Sequence, residues 1–410
     1  MTGKLGAFTL VAAVATLSAG AGSAQQLGAP SDQPIGASGG RSVLIDVMGD
    51  FIYNSNVTGT ASGASPSGIK PEDEIGRPSL DLNIFLPEGR DAVFLKGYAG
   101  YDFHVVNTQL NGPHISLDGG ADAALGPCRN TLTGEYSLQQ TQAYELPYAV
   151  KNLNQNGQVG LDSECGRPLG LGTTFAVSED WNGNQSAVLK IQNHRTFSVS
   201  GGLAYRRPVF GQLSLFGQYQ QTDFTQRFAP VGARLVQDGY QVAAGGVRYE
   251  RPIGDRMVGI ASVAYSSLEP KIPGEIAFSG ITYSADLTYR FTDRLNAHAD
   301  LSHQTLPSNQ PGGDYSIADV YSLDVNYKVG PRLSVQLGGQ YRTENYRGVA
   351  LIPAFSIASD KVWQVSAAAR YRLDRRLSLG LSVEHSHRDA NLAVFSYGDT
   401  QADLSIAAAF

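Results

Sequence analysis

The chemically capable residues of this 410-residue chain recur at every second position instead of gathering into clusters. Asp46, Asp50, Asp81, Lys96, Asp102, Asp118, Asp286, Arg290, Asp300, Asp324, Lys328, Gln336, Gln340, Arg342, Gln364, Arg370 and Glu384 each stand on the polar side of a segment whose alternate residues are apolar or small. Charges of both signs spaced in this way either line a hydrated passage or form a salt-bridged packing layer inside one. His298 falls on that side beside Asp300, and His385 and His387 lie two apart near Glu384 and Asp389. Same-face His pairs can hold a metal, and His/Asp pairs can run hydrolysis. No serine elbow, HExxH or paired-carboxylate motif accompanies them, so no catalytic residue, metal site or cofactor is expected.

Cys128 and Cys165 suit an oxidising compartment. The alternation places both at the same end of neighbouring segments, where a disulfide would close a loop of about 38 residues and stabilise by roughly 3–4 kcal/mol. The chain has no CxxC, no Cys/His cluster and no strongly basic block, and its formal net charge is −6, which argues against nucleic-acid binding.

Elements of period two must position these side chains. Val43, Ile45, Val47, Phe51 and Tyr53 alternate with Asp46, Met48 and Asp50; Leu377, Leu379, Leu381 and Val383 alternate with Ser378, Gly380, Ser382 and Glu384. Successive strand side chains point to opposite faces, so each segment has one apolar and one polar face. Tight-turn sequences recur every 38 to 44 residues or so: PEGR at 87–90, GPCR at 126–129, GRP at 166–168, RRP at 206–208, RPIGD at 251–255, TDR at 292–294, GPR at 330–332 and DRR at 374–376. Longer polar connections, such as 222–238, 304–316 and 342–360, fall between them.

These markers predict eighteen strands, at 42–54, 79–86, 92–103, 114–124, 131–140, 153–164, 171–180, 195–205, 212–222, 239–249, 256–266, 279–291, 294–303, 317–328, 332–342, 361–373, 376–386 and 400–410. The pattern leaves the outward face of 239–249 undecided. An even number of amphipathic strands with alternating short and long connections is an all-β, transmembrane, antiparallel up-and-down β-barrel over 42–410, with short periplasmic turns and long extracellular loops. Composition agrees: 42% hydrophobic residues but only 17% charged, without a stretch of eighteen apolar residues. A WD40-type propeller needs four strands per repeat and a recurrent Trp-Asp, which the two tryptophans do not supply.

Aromatic residues fall in two bands. Tyr205, Tyr289, Phe291, Tyr327 and Tyr371 sit beside the short turns; Tyr53, Tyr101, Phe103, Tyr219, Tyr265, Tyr321, Tyr341 and Trp363 sit toward the long loops. Two membrane interfaces select such belts. At the N-terminus, Lys4, an apolar run at 5–18 and Gly22-Ser23-Ala24 form a leader over 1–24. Residues 25–41 then form a disordered arm, too short for a plug domain. The last strand alternates Ala402, Leu404, Ile406, Ala408 and ends on Phe410, which resembles the signal read by the barrel-assembly machinery.

The second half resembles the family of outer-membrane proteins described as putative β-barrel porin 2, through FSGITYSA at 278–285, YSI at 315–317, YRLDRRLSL at 371–379 and RDAN at 388–391. The resemblance covers 195–410 well and the first half loosely, and it carries over no functional residue. It implies an outer-membrane barrel; some members accompany exopolysaccharide export loci. The expectation is a Gram-negative outer-membrane pore or conduit for polar solutes, with outer-membrane lipid, the assembly machinery (through Phe410) and a polysaccharide as partners. The competing readings are a structural or surface-interaction barrel with a blocked lumen, and an outer-membrane hydrolase with a rim site.

Overall fold

The structure, a computed structural model, describes residues 41–61, 68–141, 150–166, 169–254, 256–308, 313–348 and 357–410. The expected leader (1–24), residues 25–40 of the expected arm, Arg167, Pro168 and Asp255 of the expected turns, and parts of the 304–316 and 342–360 connections lie outside them.

Eighteen strands follow one another: β1 (Ser42–Asn54), β2 (Asp73–Glu88), β3 (Asp91–His104), β4 (Gly112–Leu125), β5 (Cys128–Thr141), β6 (Asn152–Gly166), β7 (Gly170–Asn184), β8 (His194–Arg207), β9 (Gly211–Val231), β10 (Arg234–Ile253), β11 (Met257–Pro270), β12 (Phe278–Arg290), β13 (Leu295–Pro307), β14 (Tyr315–Lys328), β15 (Leu333–Arg347), β16 (Ser359–Arg372), β17 (Leu377–Ala390) and β18 (Tyr397–Ala409). Each pairs antiparallel with the next, and β18 pairs back onto β1, with Val47 opposite Ala408 and Tyr53 opposite Ala402. Closure leaves no sheet edge inside the hydrocarbon, where water cannot satisfy an unpaired amide. No helix among the described residues is long and apolar enough to cross a membrane.

One face of the wall is greasy and fully outward. Leu323, Val263 and Leu404 are 51–56% exposed in mid-strand, as side chains facing lipid must be. The belts fall on this face, with Phe291, Tyr327 and Tyr371 at the short-turn end and Tyr53, Tyr101, Tyr265, Tyr321, Tyr341 and Trp363 at the other, all exposed. Side-chain oxygens tie the short turns. In the β16–β17 turn the Asp374 carboxylate accepts from the Arg376 and Leu377 amides at 2.6 and 2.8 Å, and these two hydrogen bonds hold its pKa below the usual carboxylate value. Thr292 accepts from the Arg294 and Leu295 amides in the β12–β13 turn.

The connection expected at 222–238 is not a loop. β9 and β10 run past the membrane as a two-stranded ribbon, closed by a tight turn in which Gly232 adopts φ +63°. β9 continues beyond 222 through a register shift opposite Gln237 and Gly239, resumes pairing at Phe228, and reverses at Gly232, which supplies the left-handed conformation. The outward face of β10 is the odd one: Val247 lies opposite Val263 and Leu215. Its Ala243 and Gly245 lie opposite Tyr219 and Tyr265, so neighbouring strands supply the bulk and the local alternation disappears.

Cys128 and Cys165 are direct ladder partners and form a disulfide between β5 and β6 at the periplasmic end, with a Cα–Cα separation of 3.9 Å. The double substitution Cys128→Ser/Cys165→Ser is expected to lower stability by about 3 kcal/mol, the range for a loop of this size. Urea unfolding of the refolded barrel measures that loss, and unchanged heat-modifiable gel migration should report an intact barrel.

Candidate functional site

The register sends every lumen candidate to the inner face. Asp46 lies opposite Asp81, Lys96 opposite Asp118, Asp286 opposite Asp300, Arg290 opposite Asn296, and Lys328 and Arg370 flank Ser334 from either side. Asp324 lies opposite His298, Glu384 opposite Ser366, Arg342 opposite Val362 and Asp102 opposite Gly112. Most of these side chains are half-exposed, as groups on a hydrated wall are; Asp46 and Asp102 are buried.

Three groupings emerge. Arg77 of β2 clamps the Asp102 carboxylate, its second nitrogen donating at 3.0 Å. His298 Nε2 lies 2.7 Å from Asp300 and 3.4 Å from Asp286, while Thr288 Oγ1 lies 3.1 Å from Nδ1. Three donor atoms of that group sit within 4.8 Å of one another, but all three residues remain half-exposed. Near the outer mouth, Arg342 reaches Glu344 at 3.4 Å, Arg388 donates to Asp360 at 2.7 Å, and the Tyr346 hydroxyl bridges Glu344 and Asp360. Arg290 and Lys328, by contrast, are exposed near the periplasmic end.

His385 and His387 belong to the other face. Their rings lie 5.1 and 5.8 Å from Trp363 in the outer belt, and His385 Nδ1 is 2.8 Å from Thr400 Oγ1. Glu384, their sequence neighbour, points the opposite way, into the lumen.

Inward carboxylates form an arc over consecutive strands of the closed sheet. Asp403 of β18, Asp46 and Asp50 of β1, Asp81 of β2, Asp118 of β4, Glu135 of β5, Asp162 of β6 and Asp180 of β7 share this side. Asp118 stands opposite Glu135, which stands opposite Gln158, which stands opposite Asp180. Of the inward lysines and arginines on those strands, Arg77 is engaged by Asp102 and Arg129 by Asp122, at 3.0 Å. Lys96 of β3 faces Asp81 and Asp118, Arg77 also acts on Asp50 and Asp403, and Arg370 of β16 acts on Asp46. The opposite wall mixes both signs, with Arg206, Arg248, Arg290 and Arg370 among Asp286, Asp300 and Asp324.

The family described as putative β-barrel porin 2 matches residues 192–410, more than half of the chain. The chain belongs to that family. Comparison with curated proteins returned no match. Among solved structures the porin is similar to the outer membrane protein OpdK from Pseudomonas aeruginosa, at 9% identity over 90% of this chain and 99% of that one, TM-score 0.43. It is also similar to OccK2 (OpdF) from the same organism, at 12% identity over 91% and 98%, TM-score 0.46. The FrpB iron transporter from Neisseria meningitidis matches at 11% identity over 84% of this chain and 61% of that one, TM-score 0.46.

Glu135, Asp162, Asp180 and Asp403 of this porin went unread in the sequence, although their strands were expected. The usable signal was parity. Leu132 and Leu161 face lipid, so Glu135 and Asp162 must face the lumen. The outer ion cluster has consequences for stability: both Arg388 and Asp360 are nearly inaccessible. Arg388→Met is expected to cost about 3 kcal/mol or more by stranding the Asp360 carboxylate, while Lys328→Met changes stability by less than about 0.5 kcal/mol; urea titrations of the two variants measure the contrast.

Proposed function

We propose that this porin-family barrel is an outer-membrane channel for polar solutes that favours cations and neutral sugars over anions. The observation that carries the reading is the acidic arc from Asp403 through Asp180, whose eight carboxylates outnumber the cations that act on it, Lys96, Arg77 and Arg370. Charges of one sign on a narrow, low-dielectric wall concentrate the opposite sign of ion and repel their own. The leader at 1–24 would deliver the chain across the inner membrane of a Gram-negative cell, and β18 with Phe410 would present it to the barrel-assembly machinery. The apolar outer face would then take outer-membrane lipid as its solvent.

The exopolysaccharide role of some relatives narrows under the same argument. A polyanion threading past Asp81, Asp118, Glu135 and Asp180 would meet repulsion at each level, whereas a neutral polymer would meet hydrogen-bonding groups. Near the outer mouth the half-exposed amides of Asn156 and Asn182, with Asn182 donating to Asn156 at 2.5 Å, suit sugars.

In a planar bilayer under a tenfold potassium chloride gradient, the refolded porin is expected to show a cation-selective reversal potential. Glu135→Gln/Asp180→Asn should move it toward zero, and neutral oligosaccharides should block current at lower concentration than anionic ones. Anion selectivity would sink the reading, and a folded barrel that never conducts would leave the blocked-lumen alternative.

A further inference from the structure

At one place the wall of the barrel does not close to its outer tip. β11 and β12 stay paired as far as Phe278 opposite Leu268, and β13 and β14 as far as Pro307 opposite Tyr315. Between β12 and β13 the ladder stops at Tyr283 opposite His303. Continued, it would set Thr282 against Gln304 and Phe278 against Ser308, yet no pairing joins 278–282 to 304–308.

Side-chain parity shows what happens above that level. On β14 the odd-numbered residues face outward, with Tyr321, Leu323 and Tyr327 exposed, so Tyr315 and Ile317 belong to the outward set. Tyr315 is nevertheless only 1% exposed, and with Ile317 it packs against Phe224, Tyr240, Val242, Leu268 and Phe278. Those five belong to the inward set of β9 to β12. The outward side of one wall therefore lies on the inward side of the other: the outer end of β14, at Tyr315 and Ile317, is tucked inside the β9–β12 wall.

The ties across this seam come from side chains and loops. Arg227 of β9 contacts both Asp238 of β10 and Asp314 just before β14, and donates to the Gly313 carbonyl at 2.7 Å. Its guanidinium sits 4.0 Å over the Phe224 ring, and the Tyr315 hydroxyl donates to the Ile276 carbonyl at 3.0 Å. Glu275, in the β11–β12 connection, joins Asp238 and Asp314 with carboxylate oxygens all within 4.8 Å of one another.

We propose that the gap between β12 and β13 is a side port joining the lumen to the outer leaflet for an amphipathic solute, held shut by Tyr315 and by the Arg227 clasp. Its lower end opens at the outer belt, beside Tyr265 and the 61% exposed Ile281. Its lining changes along the path, from polar Asp286 and Ser284, through the apolar cluster that Tyr315 fills, to outward Ile281. A wholly polar solute gains nothing from that apolar stretch; a solute bearing an acyl or aryl group replaces Tyr315 in it. This goes beyond passage of polar solutes along the axis and does not depend on ion selectivity.

The clasp is sensitive to pH. Burial, then the Asp314 and Asp238 carboxylates, push Glu275 up to about 8 against the opposing pull of Arg227. Burial also pushes Asp314 up to about 6, with Arg227 lowering and Asp238 raising it. The remaining titratable or charged neighbours are Tyr240, Tyr315 with Arg347 beside it, His194 near Arg227, and the Lys271–Asp223 pair. An opened port returns Glu275 toward the ordinary carboxylate value of 4.5. The closed form therefore holds its full advantage below that value and loses about tenfold in its equilibrium constant per pH unit up to Glu275's own pKa. Above it, three carboxylates face one guanidinium.

Both cysteines are bonded, so Ile317→Cys offers a single thiol for an environment-sensitive fluorophore. The labelled porin is reconstituted in vesicles containing a phospholipid spin-labelled near its headgroup. Quenching by that lipid is expected to rise at least threefold from pH 5 to pH 9, to be high already at pH 5 in Arg227→Met, and to stay low at pH 9 in Glu275→Gln. A red-shifted emission without lipid quenching overturns the port, because the outer end of β14 then lifts into water above the membrane. Emission and quenching that ignore pH overturn the clasp, and should Arg227→Met fail to refold, the pH series on the labelled protein decides alone.

Discussion

Everything in this molecule follows from the backbone hydrogen bond in a solvent that cannot offer one. An amide left unpaired in hydrocarbon costs several kcal/mol, and a sheet has unpaired amides wherever it has an edge. Pairing β18 back onto β1 removes the edge, and the strictly neighbouring order of the other strands keeps every connection short enough to do so. Once closed, each strand must give one face to lipid and one to water. The lipid face fixes the parity of each strand, so the position of every lumen charge is dictated from outside: Leu132 and Leu161 facing lipid send Glu135 and Asp162 inward. The electrostatics of the passage are a by-product of satisfying the backbone.

The same constraint explains where the wall is allowed to fail. Unpaired strand edges are tolerable only where water or side chains replace the lost partners. The β12–β13 ladder stops at Tyr283, at the level of the outer belt, and not below it. Above that level β9 and β10 continue as a ribbon, and the loop groups around Arg227 take over from the ladder. Loss of pairing at mid-membrane would expose bare amides to lipid; the same loss at the interface exposes them to headgroups and water.

The fold was legible because the alternation of Val, Leu and Ile with polar residues is a local property, present in strands such as β1, β2 and β17 whatever surrounds them. It failed where a face is completed by neighbours. Gly245 and Ala243 of β10 carry no apolar signal because Tyr219 and Tyr265 supply the bulk from adjacent strands. Gly157 of β6 looks like a break in a strand, but its Cβ position is occupied by the Trp181 ring of β7, so only glycine fits there. The overlap at Tyr315 was beyond any local pattern, since parity says outward and only the register between β12 and β13 says inward. Arg227, Glu275 and Asp314 likewise read as ordinary loop charges until the tertiary structure brings them together.

The two sides of the outer rim are built differently. From β18 through β1 to β8 it is a belt of neutral and single-charge hydrogen bonds. Asp399 holds Ser55 and the Asn56 amide, Asp73 holds His104 and Asn107, and a ladder of asparagines runs on to Asn193. The loops of this belt also bury apolar anchors, Val57 with Ile69 and Leu110. Opposite, from β9 to β14, the rim is fastened by one guanidinium among three carboxylates and by one tyrosine ring in an apolar pocket, and the Arg342–Glu344 and Arg388–Asp360 pairs fasten it farther round, from β15 to β17. A belt of many weak, saturated bonds yields only when several break together, whereas a single clasp yields when one charge changes. Motion of the rim should therefore concentrate at the outer end of β14, around Tyr315, where the Arg227 clasp holds it.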